Sequence, residues 1–160
     1  MAIYMQIQGM NGNVTTKGHE NWIHVESMHF GLKNPTRTSV GDIKDRIKGN
    51  PIIGEMTVVK EADPSSTYLF TNSLQGKVIP SVKIDICHTG KELTPHQQYT
   101  LTNVLVSHYE EAHDMSGKNP KEIVRFNFTK IEKSYTSFDS NGSAKSPVKA
   151  GYDLEQASVC

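Results

Sequence analysis

Seven histidines are the side chains best suited to chemistry in this chain. Their densest grouping is SHYEEAHDMSG, residues 107–117. There His108 and His113 accompany Glu110, Glu111 and Asp114, the residue types that hold a divalent ion when their spacing is fixed. The segment reads as a loop between strands, and it matches neither His-Glu-x-x-His on a helix nor a Cys/His zinc module. His19 and His24 flank Trp22, a pattern of surface histidines beside an aromatic. Gly-x-Ser-x-Gly, the phosphate-binding loop and Gly-x-Gly-x-x-Gly are all missing, and no paired carboxylates stand out. Cys87 lies in a strand without a basic cluster to lower its pKa, so a packed, inert thiol is expected. The pattern points away from an enzyme, with no cofactor and no metal expected.

The elements that carry these residues must therefore supply function by shape. A chain of 160 residues with 17 basic and 17 acidic side chains is sized for one domain, residues 1–160. Zero net charge argues against a nucleic-acid partner, which requires an excess of cations. Apolar residues with glycine make up about 40% of the chain, below the usual 45–50%. The core is lean, so either the fold is thin-walled or another chain completes its burial. Neither a secretory signal nor an apolar run long enough for membrane insertion is read. Two cysteines, Cys87 and Cys160, make no disulfide framework.

Period-two alternation recurs along the chain. Ile3, Met5 and Ile7 alternate with polar neighbours, as do Met56 and Val58, then Val82, Ile84 and Ile86. Tyr99, Leu101 and Leu105 share a face. Val124, Phe126 and Phe128 do the same before a phase break leads to Ile131, Lys133 and Tyr135. Residues 31–53 show no period and read as a long extended loop. One short helix is expected at about residues 66–75, started by Asp63-Pro64 or by Ser66 and stopped at Gly76. Its apolar stripe is Tyr68, Leu69, Phe70 and Leu74. The fold class is mainly β: an antiparallel barrel or sandwich with one helix.

The strand WIHVESMHFG, residues 22–31, changes phase midway. Ile23 and Val25 give way to Met28 and Phe30, which predicts a β-bulge near Glu26-Ser27. The slip leaves Ser27 and His29 together on the opposite, polar face. Charge is also unevenly spread. Lys33, Arg37, Lys44, Arg46 and Lys48 against Asp42 and Asp45 give residues 31–53 a net +3, while residues 107–122 carry −2. Two solvated loops, or a basic loop meeting an acidic loop of the next copy through Glu110, Glu111 and Asp114, both fit that pattern.

In order along nearly the whole chain, the segments resemble the Hcp (haemolysin-coregulated protein) family of type VI secretion. The carriers are MAIYMQIQGMNGNVTTKGHENWIHVESMHFG, VVKEADPSSTYLFTNSLQGK, YTLTNVLVSHY and the tail VRFNFTKIEKSYTSFDSNGSAKSPVKAGYDLEQ. The resemblance implies a β-barrel protomer that forms hexameric rings. Those rings stack into a tube that works with spike, sheath and effector proteins and leaves the bacterial cytoplasm without a cleaved signal. It also implies that Ser27 and His29 face a shared lumen and touch cargo, and that the basic 31–53 loop contacts the neighbouring ring. Family members often carry a small polar residue where this chain has His29, a departure that bears on which cargo is accepted. A phage-tail-tube protein shares the same physics. A monomeric ligand-binding β-barrel is the other alternative, and it requires an apolar pocket inside one subunit.

Overall fold

A computed structural model describes residues 1–37, 40–41, 47–89 and 93–160. Among these, the strands before the helix are β1 (Ala2–Ile7), β2 (Ile23–Val25), β3 (Ser27–His29), β4 (Leu32–Lys33), β5 (Thr36–Arg37), β6 (Ile47–Lys48), β7 (Ile52–Ile53) and β8 (Met56–Glu61). Helix α1 (Ser66–Gln75) follows. The remaining strands are β9 (Ile79–Cys87), β10 (Pro95–Ala112), β11 (Lys121–Asn127), β12 (Lys130–Tyr135), β13 (Val148–Asp153) and β14 (Ser158–Val159).

Two antiparallel sheets share one long strand. The first runs β14-β13-β12-β10-β9-β1-β2 and the second β10-β11-β8-β3. The first half of β10 pairs with β9 and β12; its second half pairs with β11. Asn103 sits at the turn-over with φ 51°, a left-handed conformation that asparagine tolerates better than most residues. The inward side chains alternate with outward ones, as the sequence pattern requires. Met5, Ile23, Ile84 and Leu101 from one sheet meet Met56, Val58, Val124 and Phe126 from the other, all fully buried.

The phase slip in residues 22–31 has a different cause from the expected bulge. Ile23 and Val25 pair with β1, whereas Ser27, Met28 and His29 pair with β8. Glu26 is the pivot, its N–H donating to the Val59 carbonyl at 2.8 Å. The strand leaves one sheet and joins the other, so each half obeys its own inward phase. With the ladder interrupted there, the architecture is sandwich-like rather than a closed barrel.

Residues 31–53 are less irregular than their composition suggests. Leu32 pairs with Ile53 and Lys33 with Ile52, while Thr36–Arg37 pair with Ile47–Lys48. The result is a narrow two-stranded arm whose ladders are too short to display a period. Gly54 and Gly49 let it close. A Cβ on Gly54 would lie 2.7 Å from the Gly31 carbonyl oxygen, and one on Gly49 would lie 2.9 Å from that of Pro35.

The helix begins after Ser65, with the Asp63 carboxylate accepting the Ser65 N–H at 2.9 Å and Ser66 Oγ accepting the Asp63 N–H at 3.0 Å. It ends at Gly76 in the left-handed region. Its expected apolar stripe does not face the core. Only Leu69 is buried, while Tyr68, Phe70 and Leu74 are exposed. Alternation along the flanking strands already fills the space between the sheets, leaving room for one helical side chain.

At the other end of β10, His96 is buried and stacks on His88 with ring centroids 4.1 Å apart. Its Nδ1 has no hydrogen-bond partner. Burial first, then His88 and the amino terminus, hold the His96 imidazole below its ordinary value of 6.5. The unfolded chain therefore takes up this proton before the folded one. Stability is complete above about pH 6.5 and declines as pH falls toward the lowered folded value. Melting temperatures at pH 7.5 and 5.0 check this: the wild-type drop exceeds that of His96→Phe, which keeps the stack without the titration.

Candidate functional site

Directly paired residues on neighbouring strands point to the same face of a sheet. On the second sheet His29 pairs with Thr57, Thr57 with Arg125, and Arg125 with His108. The next row is Ser27, Val59, Ile123 and Glu110, and the one beyond is Glu61, Lys121 and Ala112. Met28 between Ser27 and His29 packs against the core, so Ser27 and His29 turn outward and are exposed. Four strands thus present a polar wall facing away from the molecule's own interior.

Most charges on this wall are already partnered. Lys121 Nζ lies 2.8 Å from Glu26 Oε2, and His108 Nε2 lies 3.1 Å from Glu110 Oε2. Asn119 donates to Glu61 at 2.8 Å, and the Ser107 hydroxyl donates to Glu55 at 2.7 Å. The Glu26 contact raises Lys121 above the ordinary lysine value.

Behind the wall lies a buried ionic network that the sequence analysis did not find. Lys60 is fully buried, with Nζ 2.5 Å from Glu122 Oε2 and 3.0 Å from Asp63 Oδ1. The Tyr109 hydroxyl sits between Glu111 (2.6 Å) and Glu122 (2.8 Å), one proton facing two carboxylates. Burial first, then those hydrogen bonds, push the Tyr109 hydroxyl up from the ordinary phenol value. The Tyr109 hydrogen bond, then that of His113, holds Glu111 below the ordinary carboxylate value.

These contacts correct the reading of residues 107–117 as a loop. Strand β10 continues through Ala112, so His108, Glu110 and Glu111 are strand residues, and only His113 and Asp114 lie in the turn. A register shift between Val106 and His108 hides the alternation. Glu110 and His108 face outward while Glu111 faces Tyr109, so the five groups do not converge. No set of three or more His, Cys, Asp or Glu side chains is arranged to hold a metal among the described residues.

His19, expected at the surface, is buried between Tyr4 and Trp22. Its Nε2 lies 2.9 Å from Asp85 Oδ2 and 3.9 Å from Cys87 Sγ. The same ring nitrogen faces both groups, so the imidazole cannot relay a proton from thiol to carboxylate as a nucleophilic triad does. Burial, then Asp85, pushes the Cys87 thiol up to about 11. It is inert near neutral pH.

On the arm, Lys33 and Arg37 are exposed. Lys44, Arg46 and the side chain of Lys48 lie outside the described residues. Beneath the arm's base, Phe30, Leu32, Ile53, Tyr99, Ile131 and Tyr152 line an apolar groove of about 510 Å³.

A family model described as "Type VI secretion system effector, Hcp" matches residues 4–135. The chain belongs to the Hcp family. That match runs from within β1 to the end of β12 and includes the arm, the helix and every strand of this Hcp chain except β13 and β14. Solved structures carry the same fold over nearly the full length. The structure of a type six secretion system protein superposes with a TM-score of 0.94 at 24% identity, covering 99% of each chain. Hcp1 from Salmonella typhimurium gives 0.81 at 20% identity, covering 99% of this chain and 98% of that one. A type VI secretion system effector from Yersinia pestis gives 0.76 at 20% identity, covering 94% and 98%. No curated protein sequence matches the chain. Among the described residues of this Hcp protein, no helix is long and apolar enough to cross a membrane.

Proposed function

We propose that this Hcp protein is the tube subunit of a type VI secretion apparatus: six copies form a ring, rings stack, and the channel carries effector proteins. The observation that carries the reading is the four-stranded polar wall of β3, β8, β11 and β10, whose side chains its own subunit leaves uncovered. Six such walls make about 24 strands. At ~4.8 Å per strand their circumference is about 115 Å, or roughly 37 Å across. Inward side chains take about 5 Å from each wall, so a folded domain of ~50 residues, with a radius of gyration near 10 Å, is the size of cargo that such a channel admits.

Exposed apolar side chains support burial by other copies. Tyr68, Phe70 and Leu74 on α1 and Leu32 and Ile52 on the arm are all more than half exposed, a pattern that suits the lean composition. The space between the sheets is occupied by Met5, Met56 and Phe126, all fully buried, where a monomeric ligand-binding barrel needs an open interior. Ser27 and His29 are assigned to the channel. The basic arm, through Lys33, Arg37, Lys44, Arg46 and Lys48, is assigned to the adjoining ring, facing Glu111 and Asp114, while Glu110 stays on the wall beside His108. Spike, sheath and effector proteins are the partners, and the tube passes from the cytoplasm to the outside.

Electron micrographs of the purified protein test the assembly directly, because sixfold rings are visible at low magnification. Lys44→Glu with Arg46→Glu separates stacking from ring formation. At low salt, where surface charges act over the longest range, the double variant keeps its rings and forms markedly shorter tubes. Tubes of unchanged length take the arm out of the stacking contact.

A further inference from the structure

The polar wall of the second sheet is charged as well as uncovered. Its outward carboxylates are Glu26, Glu55, Glu61 and Glu110, against two cations, Lys121 and Arg125. With histidine counted as neutral, two cations against four acids leave each copy's wall at −2. Among the described residues only Glu26 is paired with a lysine or arginine, Lys121 at 2.8 Å. Glu61 accepts from Asn119 and Glu55 from Ser107, and neutral donors orient a carboxylate without cancelling its charge. Glu110 has His108 beside it, and Arg125 makes no ion pair among the described residues. The outward face of the first sheet is balanced by comparison, with Lys83, Lys130 and Lys149 against Asp85, Glu132 and Asp153. The whole chain is neutral, so the acidic excess belongs to this wall and not to the composition.

We infer that this wall receives cargo proteins through lysine and arginine side chains on the cargo surface. The inference rests on reading this face as the channel lining and specifies which cargo that lining favours. The wall's middle row carries Val59 and Ile123, both half-buried. Glu110 pairs directly with Ile123, and Glu61 stands two residues beyond Val59 on the same strand. Direct pairs are about 5 Å apart, and next-but-one residues of a strand about 7 Å. Lysine and arginine combine an apolar stem with a charged head. The stem therefore lies across Val59 and Ile123 while the head reaches either carboxylate. An aspartate or glutamate entering the same row meets carboxylates of its own sign. A ring of six multiplies the excess sixfold, and low-dielectric walls concentrate its field inside the channel.

Fluorescein-labelled hexalysine and hexaglutamate peptides are the probes, titrated by anisotropy against the purified full-length protein at low salt. Hexalysine binds and hexaglutamate does not. Glu61→Gln with Glu110→Gln weakens hexalysine about tenfold, the scale of losing two exposed ion pairs. Arg125→Gln, which removes a repelling cation from the wall, tightens hexalysine about threefold. Glu132→Gln, on the outward face of the first sheet, leaves the affinity unchanged. Preference for hexaglutamate, wild-type affinity in the double variant, or an equal loss in Glu132→Gln overturns the inference. Micrographs of the same samples report on the channel reading separately. Samples without rings overturn that reading, whereas rings whose hexalysine binding ignores the wall variants overturn only the charge selection.

Discussion

Lys60→Met lowers the unfolding free energy by about 3–5 kcal/mol, the cost of stranding one member of a buried ion pair. Lys60 has no exposed surface, and Glu122 only 1%. The ammonium also donates to the Glu61 carbonyl at 2.9 Å and touches Asp63 at the start of α1. Methionine matches the lysine stem in volume, so the loss measures electrostatics rather than a cavity. Without the cation, the Glu122 carboxylate has only the Tyr109 hydroxyl, which Glu111 also claims. Adding Glu122→Leu removes the stranded charge and returns most of the loss, as buried pairs replaced whole by apolar residues commonly do. Urea unfolding at one fixed protein concentration gives the comparison, because assembly adds concentration-dependent stability. A drop below 1 kcal/mol in Lys60→Met contradicts a fully desolvated pair.

The second large effect concerns the exposed ridge of α1. In the proposed ring, Leu74→Glu breaks hexamers into monomers. Phe70 and Leu74 stand one turn apart on the helix, and the Phe70 ring meets Tyr109 edge-on at 6.1 Å. Leu74 is 74% exposed in the single subunit, so the substitution changes the stability of an isolated subunit by no more than about 0.5 kcal/mol. Against a neighbouring subunit, full burial of a leucine contributes about 1.5–3 kcal/mol, and a ring repeats that contact six times. Native mass spectrometry reads the outcome: hexamer for wild type, monomer for Leu74→Glu at the same concentration. A Leu74→Glu hexamer removes the helix from the subunit interface.

Much of the fold is legible in the sequence because strands facing a core on one side must alternate. The inward sets on β1, β8, β9 and β11 follow from that rule, while the helix and its Gly76 stop follow from the capping residues at its two ends. The alternation fails where a strand changes partner. The slip at Glu26 looks like a bulge in a linear sequence, but in three dimensions it is the corner where the chain crosses between sheets. The helix stripe misleads because amphipathicity names a face without saying which neighbour covers it, and here the core takes only Leu69.

The candidate site was partly legible. The phase of residues 27–29 places Ser27 and His29 outward, as found, whereas Arg125 emerges only from the pairing of β8 with β11. The Lys60–Glu122 pair left a signal that went unused. Lys60 is in phase with Met56 and Val58, and Glu122 with Val124 and Phe126, so opposite charges sat on two inward faces. His19 left no such signal, because its burial depends on a loop folding back over Tyr4 and Asp85.

The most direct measurement places a label on the polar wall and locates it in the assembled particle. His29→Cys in a Cys160→Ser background leaves Cys87, which is fully buried, as the only other thiol. Coupled to a small gold cluster and viewed end-on by electron microscopy, this variant should show sixfold rings with gold inside the central hole. Lone particles without rings, or rings with gold on the outer rim, would contradict the assignment of this face to the channel.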